Sequence, residues 1–246
     1  MHRLEISRLG ALASLAGALL SLASTAVGCG TENPVGTGGS SGSGAGGGPV
    51  DAGSQPATVT LHPKADPLPG ESTCTVVEVT NIAVLDAHHV ATCTAVPYAT
   101  NPPSGGPHWP VWAAHAKYTT PVPRELYTHN LEHGWIVLSY RCTDECPNTV
   151  LALEKAFDTA SDTYCIAQGD LAARVILTPD PLLSTPIAVS AWGATYTATC
   201  IDPASLADFI AKRMGHGTEM ICGGGKDLAA VTAQCLPGTD GGTDGG

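Results

Sequence analysis

Hydrophobic and polar positions divide the chain into distinct regimes. Residues 1–28 set Arg3 and Arg8 ahead of an apolar Leu/Ala stretch, residues 29–56 hold little that can be buried, and periodic patterns begin near residue 57. The segment CTVVEVTNIAVLDAHHVATCTAVPY, residues 74–98, alternates and is rich in β-branched residues, which predicts two or three strands. The next segment, ATNPPSGGPHWPVWAAHAKYTTPVPREL, is too broken by proline and glycine for long helices or central strands and predicts an extended loop. A loop of this length in a compact domain is usually functional, and Trp109, Trp112 and Tyr118 give it apolar bulk for ordering.

Further along, WIVLSYRC reads as a strand. CPNTVLALEKAFDTA reads as a helix, with Pro147 near its first turn and Val150, Leu151, Leu153 and Phe157 on one face. AARVILTPD is a strand ended by Pro179, and IAVSAWGATYTATC is strand-like. DPASLADFIAKRM is a helix capped by Asp202 with Pro203 at its first position. The order predicts an α+β fold: a small mixed or antiparallel sheet, two packed helices and a long Pro/Gly-rich loop, stapled by disulfides. No internal repeat is visible.

Composition changes the picture at the two ends. The apolar stretch has the layout of a secretory signal and closes on AVGC, which resembles a bacterial lipobox with Ala26 where leucine is usual. This predicts a signal over 1–28 and lipidation of Cys29, the alternative being an uncleaved membrane anchor. Residues 29–56 predict a Gly/Ser linker with a reach of about 30 Å, residues 57–236 a single globular domain, and residues 237–246 a disordered tail. The expected location is the cell envelope, attached to a membrane through lipid and facing an extracytoplasmic compartment. Beyond Cys29 lie eight cysteines, an even set that predicts four disulfides in an oxidising compartment. The pair Cys142 and Cys146 has a thiolate metal clip as its alternative. Acidic residues outnumber basic ones 22 to 11 and the basic ones never cluster, which excludes a nucleic-acid surface.

Candidate chemistry centres on THNLEHGWIVLSY, residues 128–140. His129 and His133 are four apart, so on a helix both reach one face, and Glu132 stands beside the second. The pattern satisfies H-x-x-E-H, carried by inverzincin peptidases, with Glu132 as the base that activates a metal-bound water. Pro121, Pro123 and Gly134 leave room for only two or three turns, and the distant downstream glutamate, Glu219, lies in the Gly-rich turn GHGTEMICGGG. Ser104 has no nucleophile-elbow spacing.

The elements PPSGGPH and HNLEHG, followed by TPDP and SAWGATYTATC, resemble in order the bacterial domain of unknown function 3105 family, over most of residues 87–209. Ala116-Lys117 stands where a glycine commonly precedes the tyrosine, and Thr128 where an apolar residue commonly precedes the first histidine. The resemblance implies a kept set of His89 (or its neighbour His88), His108, His129, Glu132 and His133, and brings no established activity with it.

Three or four imidazoles suit Zn(II) or Cu(II), so His89, His108, His129 and His133 are the candidate metal ligands and copper or zinc the candidate cofactor. Met214, His216 and Met220 form a softer set suited to Cu(I). Two other functions stay open: a metal-dependent hydrolase using Glu132, and a metal-free structural or interaction module. In the latter the histidines donate to loop carbonyls, and Trp109, Trp112 and Trp135 form a contact surface.

Overall fold

The computed structural model describes residues 55–142 and 145–235. The predicted signal, Cys29, the linker up to residue 54 and the tail lie outside the described residues. Six strands form one sheet: β1 (Ala57–Leu61), β2 (Val76–Thr80), β3 (Ile136–Tyr140), β4 (Val175–Pro179), β5 (Ile187–Ala191) and β6 (Ala194–Ala198). Their order is β1-β2-β6-β5-β3-β4. Only β3 and β4 run parallel; every other neighbouring pair is antiparallel, so the sheet is mixed. Among the described residues five α-helices accompany it: α1 (Arg124–Glu132), α2 (Pro147–Thr159), α3 (Thr163–Ala167), α4 (Pro203–Arg213) and α5 (Leu228–Thr232). Among the described residues no helix is long and apolar enough to cross a membrane.

The strands read as they do because of where they sit. IVLSY and VILTP are near-continuous apolar runs, which suits strands covered on both faces. Helix α2 crosses from β3 toward its parallel neighbour β4, the crossover that parallel pairing requires. The IAVSAWGATYTATC segment folds into the β5–β6 hairpin, turned by Trp192 and Gly193, the latter at φ +65°. Asp202 caps α4 by accepting from Ser205 N, and Pro203 opens the helix.

Residues 74–98 differ from expectation, since β2 is their only named strand. After Thr80 the chain turns through Asn81, Asp86 and Cys93, all with positive φ, and pairs again only where His89 bridges to His108. Alternation of apolar and polar residues is satisfied there by packing against a loop, without a sheet partner. The strand Ala57–Leu61, which no reading of the pattern foresaw, forms the exposed edge.

All eight cysteines after Cys29 pair: Cys74–Cys200, Cys93–Cys235, Cys142–Cys146 and Cys165–Cys222. The CTDEC pair is therefore a disulfide and not a metal clip. Such a set fits an oxidising, extracytoplasmic compartment.

Two apolar layers flank the sheet. Ile136, Leu138, Val175, Leu177 and Val189 point to one side, where Leu153 and Phe157 of α2 and Leu206, Phe209 and Ile210 of α4 cover them. Val137 and Ile176 point to the other, against Leu126, Tyr127 and Leu131 of α1 and against Trp109 and Trp135. His129 and His133, at the end of α1, lie on this second side, whereas His115 stacks on Phe157 of the first.

Candidate metal centre

Helix α1 is short because its ends are set by backbone chemistry. Pro123 precedes it, and Gly134 at φ +78° stops it. Trp135 N donates to Asn130 O at 3.0 Å and Gly134 N to Leu131 O at 2.9 Å, the double closure that a left-handed glycine after a helix makes. The closing carbonyl of His133 is held by Arg174 Nη1 at 2.8 Å. Arg174 is fully buried, its charge balanced by Asp162 Oδ2, 2.6 Å from Nε, while Asp162 Oδ1 caps α3.

Two side chains of α1 fasten the long loop. Asn130 makes a reciprocal pair with Ala113, accepting from its N–H and donating to its carbonyl, both at 2.9 Å. His129 Nδ1 lies 2.7 Å from the Trp109 carbonyl, so that nitrogen carries the proton and donates. The loop in turn fixes His108, whose Nδ1 donates to Gly106 O at 2.8 Å. Backbone bonds from Val90 N to His108 O (2.8 Å) and from His108 N to His88 O (3.0 Å) bring His89 alongside.

The result is a packed group of imidazoles. Ring centroids are 4.7 Å apart for His108 and His129, 4.8 Å for His89 and His129, and 5.1 Å for His89 and His108. One donor atom from each of His89, His108, His129 and Glu132 falls within 4.8 Å of all the others. Bonds of about 2.0–2.2 Å to one ion would require that spread to narrow. His108 and His129 are buried, Glu132 is half-buried, and His89 is exposed, so the group is open on one side.

Its electrostatics are unbalanced. With Nδ1–H committed to Gly106, Nε2 of a neutral His108 presents a lone pair. It stands 2.9 Å from Glu132 Oε2, yet out of line for a hydrogen bond, and it is buried without a partner. A hydrogen bond from His108, which needs a proton on Nε2, is the first influence holding the Glu132 carboxyl below its ordinary range, with the histidine charges adding to it and burial opposing. The bent geometry of that contact weakens this bond. Burial pushes His129 down to about 4, helped by its histidine neighbours. It pushes His133 down to about 4 as well, despite the nearby Glu132 charge.

His133 stands next to the group and outside it. Its ring meets His129 edge-on at 4.6 Å and Trp112 at 4.3 Å, and its Nε2 lies 3.1 Å from Glu219 Oε2. Glu219 is thus brought to the second histidine of H-x-x-E-H, while Glu132 faces His108. The His88 side chain turns away to Asp86, with Nδ1 3.0 Å from its carbonyl. Met214 packs against the sheet core, His216 is exposed, and Met220 Sδ sits 3.7 Å from Arg174 Nη1, so this softer set forms no common site. Trp109 and Trp135 are buried, and the indole N–H groups of Trp109, Trp112 and Trp135 donate to Thr94, Gly223 and Ile221 carbonyls.

Asn130, Arg174 and Asp162 were not singled out by pattern. The one signal for Arg174 was a lone charge entering an apolar run, AARVIL. A hollow of about 650 Å³ opens at the N-terminal end of α1, lined by Tyr98, Asn101, Arg124, Asp180 and Leu182 among others. Its one cation is already taken: Arg124 Nη2 lies 2.8 Å from Asp180. The histidine group lies at the opposite end of α1.

An α+β domain with a three-histidine, one-carboxylate group is the class that fold and site define. The chain matches the family described as protein of unknown function (DUF3105) over residues 89–223, more than half its length, and it belongs to that family. The matched span begins at His89 and runs just past Cys222, so it takes in the whole histidine group and its Glu219 neighbour. No curated protein and no solved structure matches the chain.

Proposed function

We propose that this protein is a lipid-anchored, extracytoplasmic domain that binds one divalent transition-metal ion, Zn(II) or Cu(II), through His89, His108, His129 and Glu132. The observation that carries the reading is the pair of acceptors at His108 Nε2 and Glu132 Oε2, 2.9 Å apart and misaligned for a shared proton. A proton bridges two acceptors only near in line, whereas a metal ion about 2.0–2.2 Å from each takes both at roughly a right angle. Two of the histidines have the outer hydrogen bond that orients metal-binding imidazoles, Nδ1–H to a carbonyl with Nε2 left bare. Loop pinning and metal binding thus use opposite nitrogens of the same rings. Both copper and zinc suit imidazole and carboxylate donors.

Calorimetric titration of the metal-free domain with Zn(II) and with Cu(II) tests this. Wild type takes up one ion, and His129→Ala weakens it by more than the roughly 10–100-fold that loss of an outer partner of a ligand costs. Absence of saturable binding by wild type, with a stability loss in His129→Ala, makes the cluster purely structural. Lipidation of Cys29 is tested by intact mass of the membrane-bound protein, where an unmodified cysteine overturns it. A second reading, metal-dependent hydrolysis, is favoured by the exposure of His89, which leaves the ion reachable. In that reading the three histidines alone hold the ion and Glu132 is the base, so Glu132→Gln retains the ion and loses turnover.

A further inference from the structure

His133 and Glu219 have no part in the four-donor group, yet the fold spends several constraints on placing them. Glu219 lies on the turn between Met214 and Cys222. Its backbone N–H donates to Glu132 O at 2.9 Å, and Gly215 N donates to Gly134 O at 2.8 Å. At Gly217 an added Cβ would run into Glu132 O and Gly134 N, so the turn lies flat against the end of α1. The Cys165–Cys222 disulfide ties its far end to α3. A side chain more than half exposed is thereby delivered to a histidine that is 1 % exposed.

The consequence for the ring is specific. A neutral imidazole has one proton; Glu219 Oε2, 3.1 Å from Nε2 though not aligned as a hydrogen bond, favours that proton on Nε2 by its charge, and nothing competes for it at Nδ1. Nδ1 is left as a bare acceptor, buried, with no hydrogen-bond partner in the protein. Folded proteins seldom retain such an atom unless a ligand or an ordered water satisfies it. The ring bearing it is in edge contact with His129, a member of the four-donor group, and with Trp112.

We infer that His133, backed by Glu219, anchors a small protic ligand carried by the ion, a water or the O–H or N–H group of a substrate, so that the site selects hydrogen-bond donors over bare anions. The inference rests on the metal reading above. It makes His133 a positioning residue in the outer sphere, Glu219 the group that fixes its tautomer, and the ion accessible to exchange from the His89 side. Three imidazoles and one carboxylate leave a five- or six-coordinate ion one or two free positions, and Nδ1 supplies the acceptor that orients what fills them.

The test uses the intact domain loaded with Co(II), whose visible spectrum reports ligand binding, titrated with acetohydroxamate as a protic probe and azide as an aprotic one. In wild type, acetohydroxamate binds more tightly than azide. In His133→Ala the ratio of the two affinities falls at least tenfold, and in Glu219→Ala at least threefold, with Glu219→Gln restoring most of it. Nitrogen-15 NMR of the metal-free protein places the His133 proton on Nε2 in wild type, and Glu219→Ala gives a tautomer mixture. Equal loss of both probes, or a fall of more than tenfold in Co(II) affinity in His133→Ala, makes His133 a metal ligand and overturns the inference. So does a proton on Nδ1 in wild type, a result that the surface change Glu219→Ala checks without disturbing the core. If wild type binds no Co(II), Zn(II) or Cu(II) at all, the metal reading itself fails, an outcome distinct from these.

Discussion

On one face of the sheet, Leu138, Val175 and Val189 meet α2 and α4 in a layer of apolar side chains, and the helices that cover it begin with ordinary signals, a proline in the first turn and an aspartate cap on α4. On the other face, Val137 and Ile176 meet a nine-residue helix and a loop with no strand or helix of its own. The positions of both depend on buried polar contacts: Asn130 to Ala113, His129 to Trp109, Arg174 to His133 and Asp162. The first face is stabilised by area removed from water, which tolerates small displacements. The second depends on directional bonds between groups that would be costly unpaired. That trade gives up plasticity for placement, and placement is what a metal site needs.

The comparison is open to attack from both sides. Leu138→Ala, at a fully buried position on the first face, is expected to cost about 2–5 kcal/mol in chemical denaturation while leaving Zn(II) affinity of the folded fraction within threefold. A tenfold affinity change there would mean that the two faces are coupled. Cys165→Ser with Cys222→Ser, on the second face, is expected to cost about 2–4 kcal/mol. Because that bridge holds the turn carrying Glu219, it also loosens the histidine site; unaltered Zn(II) binding in the double variant would break the link between turn and site.

Acid should expose the same asymmetry in the metal-free protein. His129 and His133 titrate near 4 when folded, against about 6.5 in the unfolded chain. Between those values the unfolded state binds more protons, so their contribution is complete above about 6.5 and is lost as pH falls toward 4. Glu132, also depressed, adds a loss only below its ordinary range. The melting temperature should therefore fall from pH 7 to pH 5, and bound Zn(II) should steepen the fall, since protons compete for the same nitrogens. A flat profile would show that the rings are not buried neutral. The smallest effect belongs to the first face again. Asp202→Ala removes the α4 cap and is expected to cost about 1 kcal/mol with no change in metal affinity, measured by the same denaturation and titration.

Much of this was legible along the chain. The runs WIVLSYRC, AARVILTPD and IAVSAWGATYTATC and the two proline-opened helices appear as β3, β4, the β5–β6 hairpin, α2 and α4, because period and punctuation are local properties. The edge strand Ala57–Leu61 was not legible, because its side chains are mostly exposed and its only call for a partner comes from β2. Residues 82–98 misled for the opposite reason: strand-like alternation there is met by a loop.

The histidines illustrate the division most closely. Spacing in HNLEHG established that His129, Glu132 and His133 belong to one short helix end, and residue type established that imidazole and carboxylate would be the available chemistry. Which of them share a point in space was decided by tertiary structure. Helix α1 turns His129 and Glu132 toward His108 and His89, 21 and 40 residues earlier in the chain than His129, and leaves His133 to Glu219. The number of cysteines implied four bridges, but 105 pairings were equal on paper until the fold brought particular sulfurs together. The reason is the same in each case. Periodicity, capping and residue chemistry act within a few residues, whereas a site or a disulfide forms between segments whose meeting depends on every contact that closes the chain.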